Sequence, residues 1–322
     1  MDYSAATNVS AAAITAQDIE LMAVRDKLMG LDPEGRRFGR VLRDSIDQLL
    51  NGEATGRYDW QSLLKTEKTH AGTIVEINLQ RDFQFEDGTE MDYKIAGSDV
   101  DCKYSQDFGK WMIPPEATGH LCLLVWADDY TSRWSAGLLR IQRQLLNGGE
   151  NRDLKTTIKA EHRNKIYWLW RDAQLPENVL LHLNASMRND ILSKASGQGR
   201  VNELFRRVQM RLIGRGVVRT VAQQSDYMAR IREAKGRART VLRGEGILIA
   251  GHYGSHQAVV RTLGGPVPQA GELVSFRVAE AMPLHAGRPK VLLDGTFWVL
   301  ADDNDPECVA PHLPKHTEKT ND

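Results

Sequence analysis

The sequence has no charge surplus, little cysteine and no long apolar run. Its 322 residues carry 42 Lys and Arg against 42 Asp and Glu. The three cysteines, Cys102, Cys122 and Cys308, have no paired spacing, which excludes a disulfide framework and a four-cysteine zinc site. No apolar stretch approaches the roughly 20 residues of a spanning helix, so an integral membrane protein is excluded. Residues 1–17 are rich in Ala, Ser and Thr, without the basic start and apolar core of a secretory leader. A cytoplasmic location is expected. No G-x-S-x-G is present, and no Gly-Lys-Ser/Thr follows Gly244, Gly246 and Gly251, so neither a hydrolase triad nor a phosphate loop is indicated. His252 and His256 are separated by Gly254, and they read as a surface loop rather than a metal pair.

Zero net charge conceals a division. Residues 1–130 hold 13 basic and 23 acidic side chains, residues 131–245 hold 23 and 10, and residues 246–322 hold 6 and 9. A basic surplus of that size draws a polyanion, with nucleic acid the first candidate. The plain alternative is a solvated basic face without a ligand.

At this length two cores are expected. Helical spacing runs over 16–29, with Ile19, Met22, Ala23 and Leu28 near one side. A second helix is expected from Asp32-Pro33, an N-cap followed by proline, to Asn51-Gly52. Residues 72–79 (GTIVEINL) are β-branched and alternating, and read as a strand. Residues 91–95 and 99–104 are further short strands, with Asp87-Gly88 a turn ahead of them. Residues 120–127 (HLCLLVWA) form the apolar run of a strand buried on both faces, and 134–146 return to helical spacing. Tyr167, Trp168 and Trp170 could stack on bases, although core is the plainer reading. The first domain is therefore expected to be mixed α/β (α+β), its sheet flanked by helices. The boundaries expected are a disordered tail over 1–15, the first domain over 16–170, a linker over 171–178, a second domain over 179–310 and a polar tail over 311–322.

Helices are expected over 177–183, 186–195 and 200–210. Residues 211–221 (RLIGRGVVRTV) then read as two short strands around Gly214 and Gly216. Three helices and a basic hairpin are the plan of a winged helix-turn-helix, extended by a small β-rich piece over 246–303. The third helix keeps Val201, Leu204, Phe205 and Val208 on one side. Arg200, Asn202, Glu203, Arg206 and Arg207 are left for the other, where the arginines suit guanine edges and phosphates and the asparagine suits adenine. Arg211, Arg215 and Arg219 of the hairpin and the tract 230–243 continue that basic surface.

The chemistry concentrates in residues 91–104 (MDYKIAGSDVDCKY). Two residues apart on a strand, Asp101 and Lys103 share one face while Val100 and Cys102 take the other. Asp92 lies on the neighbouring strand, and Glu76 offers a third carboxylate. Converging carboxylates repel unless a cation sits between them, and hard oxygen donors suit Mg2+. A lysine there supplies charge to a phosphoryl transition state and helps orient or deprotonate the attacking water. Asp92-Tyr93-Lys94 has the same form, with Glu76 or Asp82 as its upstream acid, so spacing leaves both triplets open. Asp101-Cys102-Lys103 is preferred because Val100 and Cys102 are apolar and Asp92 remains as partner. Cys102 reads as core, its carbonyl available to a metal.

GTIVEINL, MDYKIAGSDVDCKYS and the arginine-rich segment resemble the NaeI-type (type IIE) restriction endonucleases of the PD-(D/E)xK superfamily, over about residues 41–299. The resemblance implies an N-terminal nuclease domain, a C-terminal CAP-like winged helix and a Mg2+-dependent homodimer. It implies two duplexes of double-stranded DNA per dimer, each with a short GC-rich palindrome, GCCGGC if specificity carries over. A prokaryotic setting beside a cognate DNA methyltransferase goes with it. The family's carboxylates fall on Glu76, Asp92 and Asp101, its lysine on Lys103, and Thr66 falls near the scissile phosphate. Met91 stands where the superfamily pattern has proline. Two rival readings are a non-catalytic winged-helix DNA-binding regulator and a nicking endonuclease of the mismatch-repair type.

Overall fold

The computed structural model describes residues 18–149 and 153–315. The tail expected over 1–15 and most of the one expected over 311–322 lie outside them. No described helix is long and apolar enough to cross a membrane. The chain divides into two compact units, Met1–Leu49 with Trp60–Pro176, and Leu50–Asp59 with Glu177–Asp322.

The first unit opens with α1 (Ile19–Leu31), where the Asp18 carboxylate accepts the Leu21 N–H at 3.0 Å. α2 (Arg36–Leu50) starts three residues after Pro33. Asp32 still serves its first turn, accepting the Phe38 N–H at 2.8 Å. The short α3 (Gly52–Thr55) belongs to the second unit. α4 (Lys65–Thr69) leads into α5 (Ala71–Phe83). Residues 72–79, expected as a strand, therefore lie inside a helix. Ala71, Val75, Leu79 and Phe83 are its buried residues. That four-residue recurrence outruns the eight-residue alternation at both ends, and burying the stripe outweighs the modest helix propensity of the β-branched residues.

Six strands form one sheet in sequence order: β1 (Glu86–Asp87), β2 (Tyr93–Ile95), β3 (Ser98–Ser105), β4 (Leu121–Asp128), β5 (Arg133–Arg140) and β6 (Tyr167–Gln174). All neighbours are antiparallel except β3 and β4, which makes the sheet mixed. The helix expected over 134–146 is replaced by β5, which is buried from Trp134 to Leu139. A strand between two others and covered on both faces shows a continuous apolar run, which periodicity alone does not separate from a buried helix. β6 continues to Gln174, with Ala173 and Gln174 paired to Trp134 and Arg133, so residues 171–174 lie in the sheet rather than forming a linker. On one face Phe38 stacks on Trp134 at 5.1 Å, with Trp170 and Phe83 at 5.2 and 5.8 Å from it. Trp111, Ile113, Cys122, Leu124 and Leu139 form a second core. Alternation along β4 sends Cys122 and Leu124 to the face opposite Leu121, Leu123 and Val125.

In the second unit α6 (Val179–His182), α7 (Ala185–Leu192) and α8 (Gly197–Arg207) follow one another. Asn184 and Ser196 cap the latter two, accepting from Met187 N and Gly199 N at 2.8 and 3.0 Å. The hairpin expected over 211–221 is not formed. Only β7 (Ile213–Gly214) is extended, and α9 (Arg215–Ala222) follows at once, burying Val217, Val218 and Val221. Packing of those valines overrides their strand preference. Then come α10 (Ala238–Arg243), β8 (Ile247–Gly251), α11 (Gly254–Thr262), β9 (Glu272–Glu280), β10 (Val291–Leu293) and β11 (Thr296–Leu300). The sheet order is β10-β11-β9-β7, with β8 also on β9, all antiparallel. His256 lies on α11, not in a surface loop; it is buried and its Nδ1 accepts the Gly251 N–H at 3.2 Å. The inserted segment is held closely: a Cβ on Gly52 would lie 2.0 Å from Thr220 Oγ1, and Asn178 Nδ2 donates to the Tyr58 carbonyl at 2.7 Å.

Candidate active site

The site starts from a turn. Ala96 and Gly97, both at positive φ (51° and 82°), join β2 to β3. Two central residues at positive φ match the type I′ hairpin turn, whose twist suits antiparallel strands. The turn sets Ile95 across from Ser98 and Tyr93 across from Val100. One step further out, the same register places Asp92 opposite Asp101. Asp92 Oδ2 accepts the Cys102 N–H at 2.7 Å. Lys103 Nζ pairs with Asp101 Oδ1 and lies 3.1 Å from the Cys102 carbonyl oxygen and 3.5 Å from Asp92 Oδ2. Lys94 of the rival triplet stands across from Asp99 instead.

Glu76 arrives on α5, not on a strand. The wholly buried Tyr93 donates its hydroxyl to the Glu76 carbonyl at 2.8 Å, fastening α5 to β2 beside Asp92. Asp99 accepts the Thr89 and Glu90 N–H groups at 3.1 and 2.7 Å, anchoring the turn that precedes Asp92. Cys122 sits next to Asp101 across the parallel β3–β4 pair, with Sγ 3.3 Å from Asp101 Oδ2.

Burial, with Asp92 close by, raises Glu76 above the ordinary carboxylate range. Burial also pushes Asp101 up to about 6, with Lys103 opposing and Asp92 reinforcing the shift. For Lys103 burial works against the charge, but Asp101 and then Asp92 prevail and hold it above the usual lysine range. The lysine is thus a firm ammonium. Burial pushes the Cys102 thiol up to about 12, the state of a core group rather than a nucleophile.

Among the described residues, no group of three or more His, Cys, Asp or Glu side chains is gathered as a metal cage. The donor chemistry nevertheless fits a hard divalent cation. Two carboxylates and the Cys102 carbonyl already face one positive centre, the Lys103 ammonium. Glu76, Asp92 and Asp101 against a single lysine leave negative charge in excess, which a cation relieves.

The family model described as restriction endonuclease NaeI matches residues 22–309. The chain belongs to that family. The type II restriction enzyme NaeI of Lentzea aerocolonigenes is 49% identical over 307 residues, covering 92% of this chain and 95% of the relative. The NaeI family match takes in both units, so it spans the carboxylate–lysine cluster and the basic segment together.

The remaining sequence-derived residues fall less simply. Thr66 stands exposed on α4, and its place near a scissile phosphate rests on the NaeI resemblance. On α8, Arg206 and Arg207 converge on the buried Glu203. Arg206 also grips Glu245 through two hydrogen bonds of 2.7 and 2.8 Å, and Arg207 lies 3.2 Å from Asp190. Arg200 donates to the Val221 and Ala222 carbonyls at 2.7 and 3.2 Å, tying α8 to the end of α9. Asn202 accepts from Gln198 at 2.8 Å, and Arg211 pairs with Glu177 at 2.6 Å. Arg215 opens α9, its N–H donating to the Gly271 carbonyl at 2.9 Å. Arg219 lies 5.1 Å from the Tyr227 ring centroid and 3.6 Å from Glu53. Apart from Arg215, whose contact here is through its backbone, these side chains knit the second unit together. Tyr93, Asp99 and Cys122 escaped sequence reasoning. Tyr93 adjoins Asp92 in MDYK, a usable signal, whereas Cys122 becomes visible only through the parallel register.

Proposed function

We propose that the chain is a Mg2+-dependent endodeoxyribonuclease that cuts double-stranded DNA within a short specific sequence. Membership of the restriction endonuclease family supports the reaction class. The single observation that carries the mechanism is the convergence of Asp92 Oδ2, Asp101 Oδ1 and the Cys102 carbonyl on Lys103 Nζ. In this reading Asp92, Asp101 and the Cys102 carbonyl hold the cation, and Glu76 supports them. Mg2+ supplies charge to the phosphate oxygens and acidifies water. Lys103, kept protonated by its neighbours, brings a fixed positive charge and N–H donors to the attacked phosphate and orients the water nucleophile. A regulator without catalysis gives no reason for this cluster to sit under one register, and family membership favours a restriction enzyme over a mismatch-repair nickase.

For the second unit a winged helix is proposed, with elements other than those the sequence suggests. α8, β7, α9, α10, β8 and β9 follow in that order, with α11 inserted between β8 and β9, and β9 pairs with both β7 and β8. α9 and α10 are then the helix-turn-helix and α10 the groove reader. Arg232 and Lys235 stand exposed just ahead of α10, while the α8 arginines are engaged internally. A two-fold dimer matches a two-fold site, and a GC-rich palindrome, a second activating duplex and a partner methyltransferase are proposed with it on the strength of the family resemblance.

Purified protein incubated with a single-site plasmid should cut it only when Mg2+ is present, and slowly. A short duplex bearing the same site should accelerate the reaction at low dose, provided DNA binds the cutting-competent state more tightly. Inhibition at every dose would remove the second-duplex role and leave the nuclease. Absence of cleavage with Mg2+ would remove the nuclease itself.

A further inference from the structure

We propose that Cys122 is a positioning residue for Asp101, its S–H holding one carboxylate oxygen so that the other faces the cation site. The inference rests on the nuclease reading above. Parallel pairing sets Asp101 and Cys122 side by side on one face of the sheet. Both are buried, with 4% and 0% of their surface exposed. Cys122 Sγ lies 3.3 Å from Oδ2, while Oδ1 is the oxygen paired with Lys103. The two oxygens are thereby made unequal. Oδ2 is turned into the protein, and Oδ1 joins Asp92 Oδ2 and the Cys102 carbonyl around the ammonium.

The terminal torsion of an aspartate is broad and roughly two-fold, so the carboxylate needs an external constraint to present one oxygen. Cys122 is well placed to supply it. Leu124, Leu139 and Ile141 share its core and have no side-chain donor to offer, and the indole N–H groups of Trp111 and Trp126 donate to the Val125 and Gln106 carbonyls, so without the thiol Oδ2 would be desolvated with little compensation. Groups that orient metal-binding side chains commonly change metal affinity or activity by about 10–100-fold when removed. A thiol is a weak donor, which places the expectation at the lower end.

Cys122→Ala removes the donor, and Cys122→Ser restores one of similar size. In the full chain, Mg2+ and Mn2+ binding are measured by titration calorimetry, alongside the Mg2+ needed for half-maximal cleavage and the melting temperature without metal. Cys122→Ala is expected to weaken metal binding and raise the half-maximal Mg2+ by about tenfold. Cys122→Ser should recover most of the wild-type affinity, even though a hydroxyl in an apolar core lowers its melting temperature. A packing role would instead make metal affinity follow melting temperature in both variants, and that result overturns the proposal. The infrared S–H stretching band lost in Cys122→Ser should move to higher frequency in Asp101→Ala, and an unmoved band also overturns it. If the wild-type chain neither binds Mg2+ nor cuts, the nuclease reading falls and the positioning role with it. If it does both and the Cys122 variants are indifferent, only the positioning role falls.

Discussion

Both units concentrate charged side chains, and they use them in opposite ways. Around Asp101, Glu76 and Asp92 add negative charge that Lys103 answers among the described residues, and burial raises both Glu76 and Asp101. On α8, Glu203 meets Arg206, Arg207 and, at 3.7 Å, Lys194. Glu245 and Asp190 take further arginine N–H groups. Burial works to raise Glu203, but Arg207 and Arg206 prevail and hold it below the ordinary range. A cluster whose charges close on themselves builds structure, while a buried one left short of a sign is relieved by a proton or by a ligand of that sign, which makes it a candidate functional site. By that measure the proposed cation site belongs to the acidic half of the sequence, and the proposed DNA-facing surface is sought outside α8.

The largest effect that tests this contrast is chemical. Lys103→Ala or Asp101→Ala is expected to reduce plasmid cleavage by about 10³-fold or more while leaving DNA binding in gel shifts. Lys94→Ala, facing Asp99, should cut normally, and an equal loss there would break the contrast. In the second unit Glu203→Gln should lower stability by about 1–3 kcal/mol, measured by urea unfolding at neutral pH, because it strips charge-assisted hydrogen bonds from two arginines. The sign with pH follows from the lowered carboxyl. The native state binds the proton less readily than the unfolded chain, so this stabilisation is present above about pH 4.3 and fades as pH falls through the native value. The wild type and Glu203→Gln should therefore converge in acid, and a gap that widens instead would contradict the pairing. The smallest effects concern DNA. Arg232→Ala and Lys235→Ala are each expected to lower the salt slope of binding by about one, whereas Arg206→Ala leaves it unchanged. The reverse pattern would return DNA reading to α8.

How much of this was legible depends on the range of the interaction. Strands at 99–104 and 120–127 are readable because their neighbours are short turns or apolar runs, and β3 and β4 appear there. The helix at 72–79 was hidden by a window too short to reveal Ala71, Val75, Leu79 and Phe83 as one stripe. β5 was hidden by cover on both faces, which erases alternation. α9 was hidden by two glycines and three valines whose strand preference lost to packing. Of the partners of Arg206 and Arg207, Glu203 lies within one helical turn and is local in sequence, whereas Glu245 and Asp190 lie far along the chain.

The sequence by itself determined the part of the site that one hairpin can encode. Ala96-Gly97 closes a two-residue turn, and the register it sets, with Tyr93 across from Val100, brings Asp92 toward Asp101 and leaves Lys103 on the same face as Asp101. Only the tertiary structure decided that Cys122 lies against Asp101 and that Glu245 and Asp190 join Glu203 around Arg206 and Arg207. The reason is physical. Hairpin register follows from turn geometry over a few residues, whereas the β3–β4 pairing and the long-range partners of α8 depend on burying two cores at once, which no local window contains.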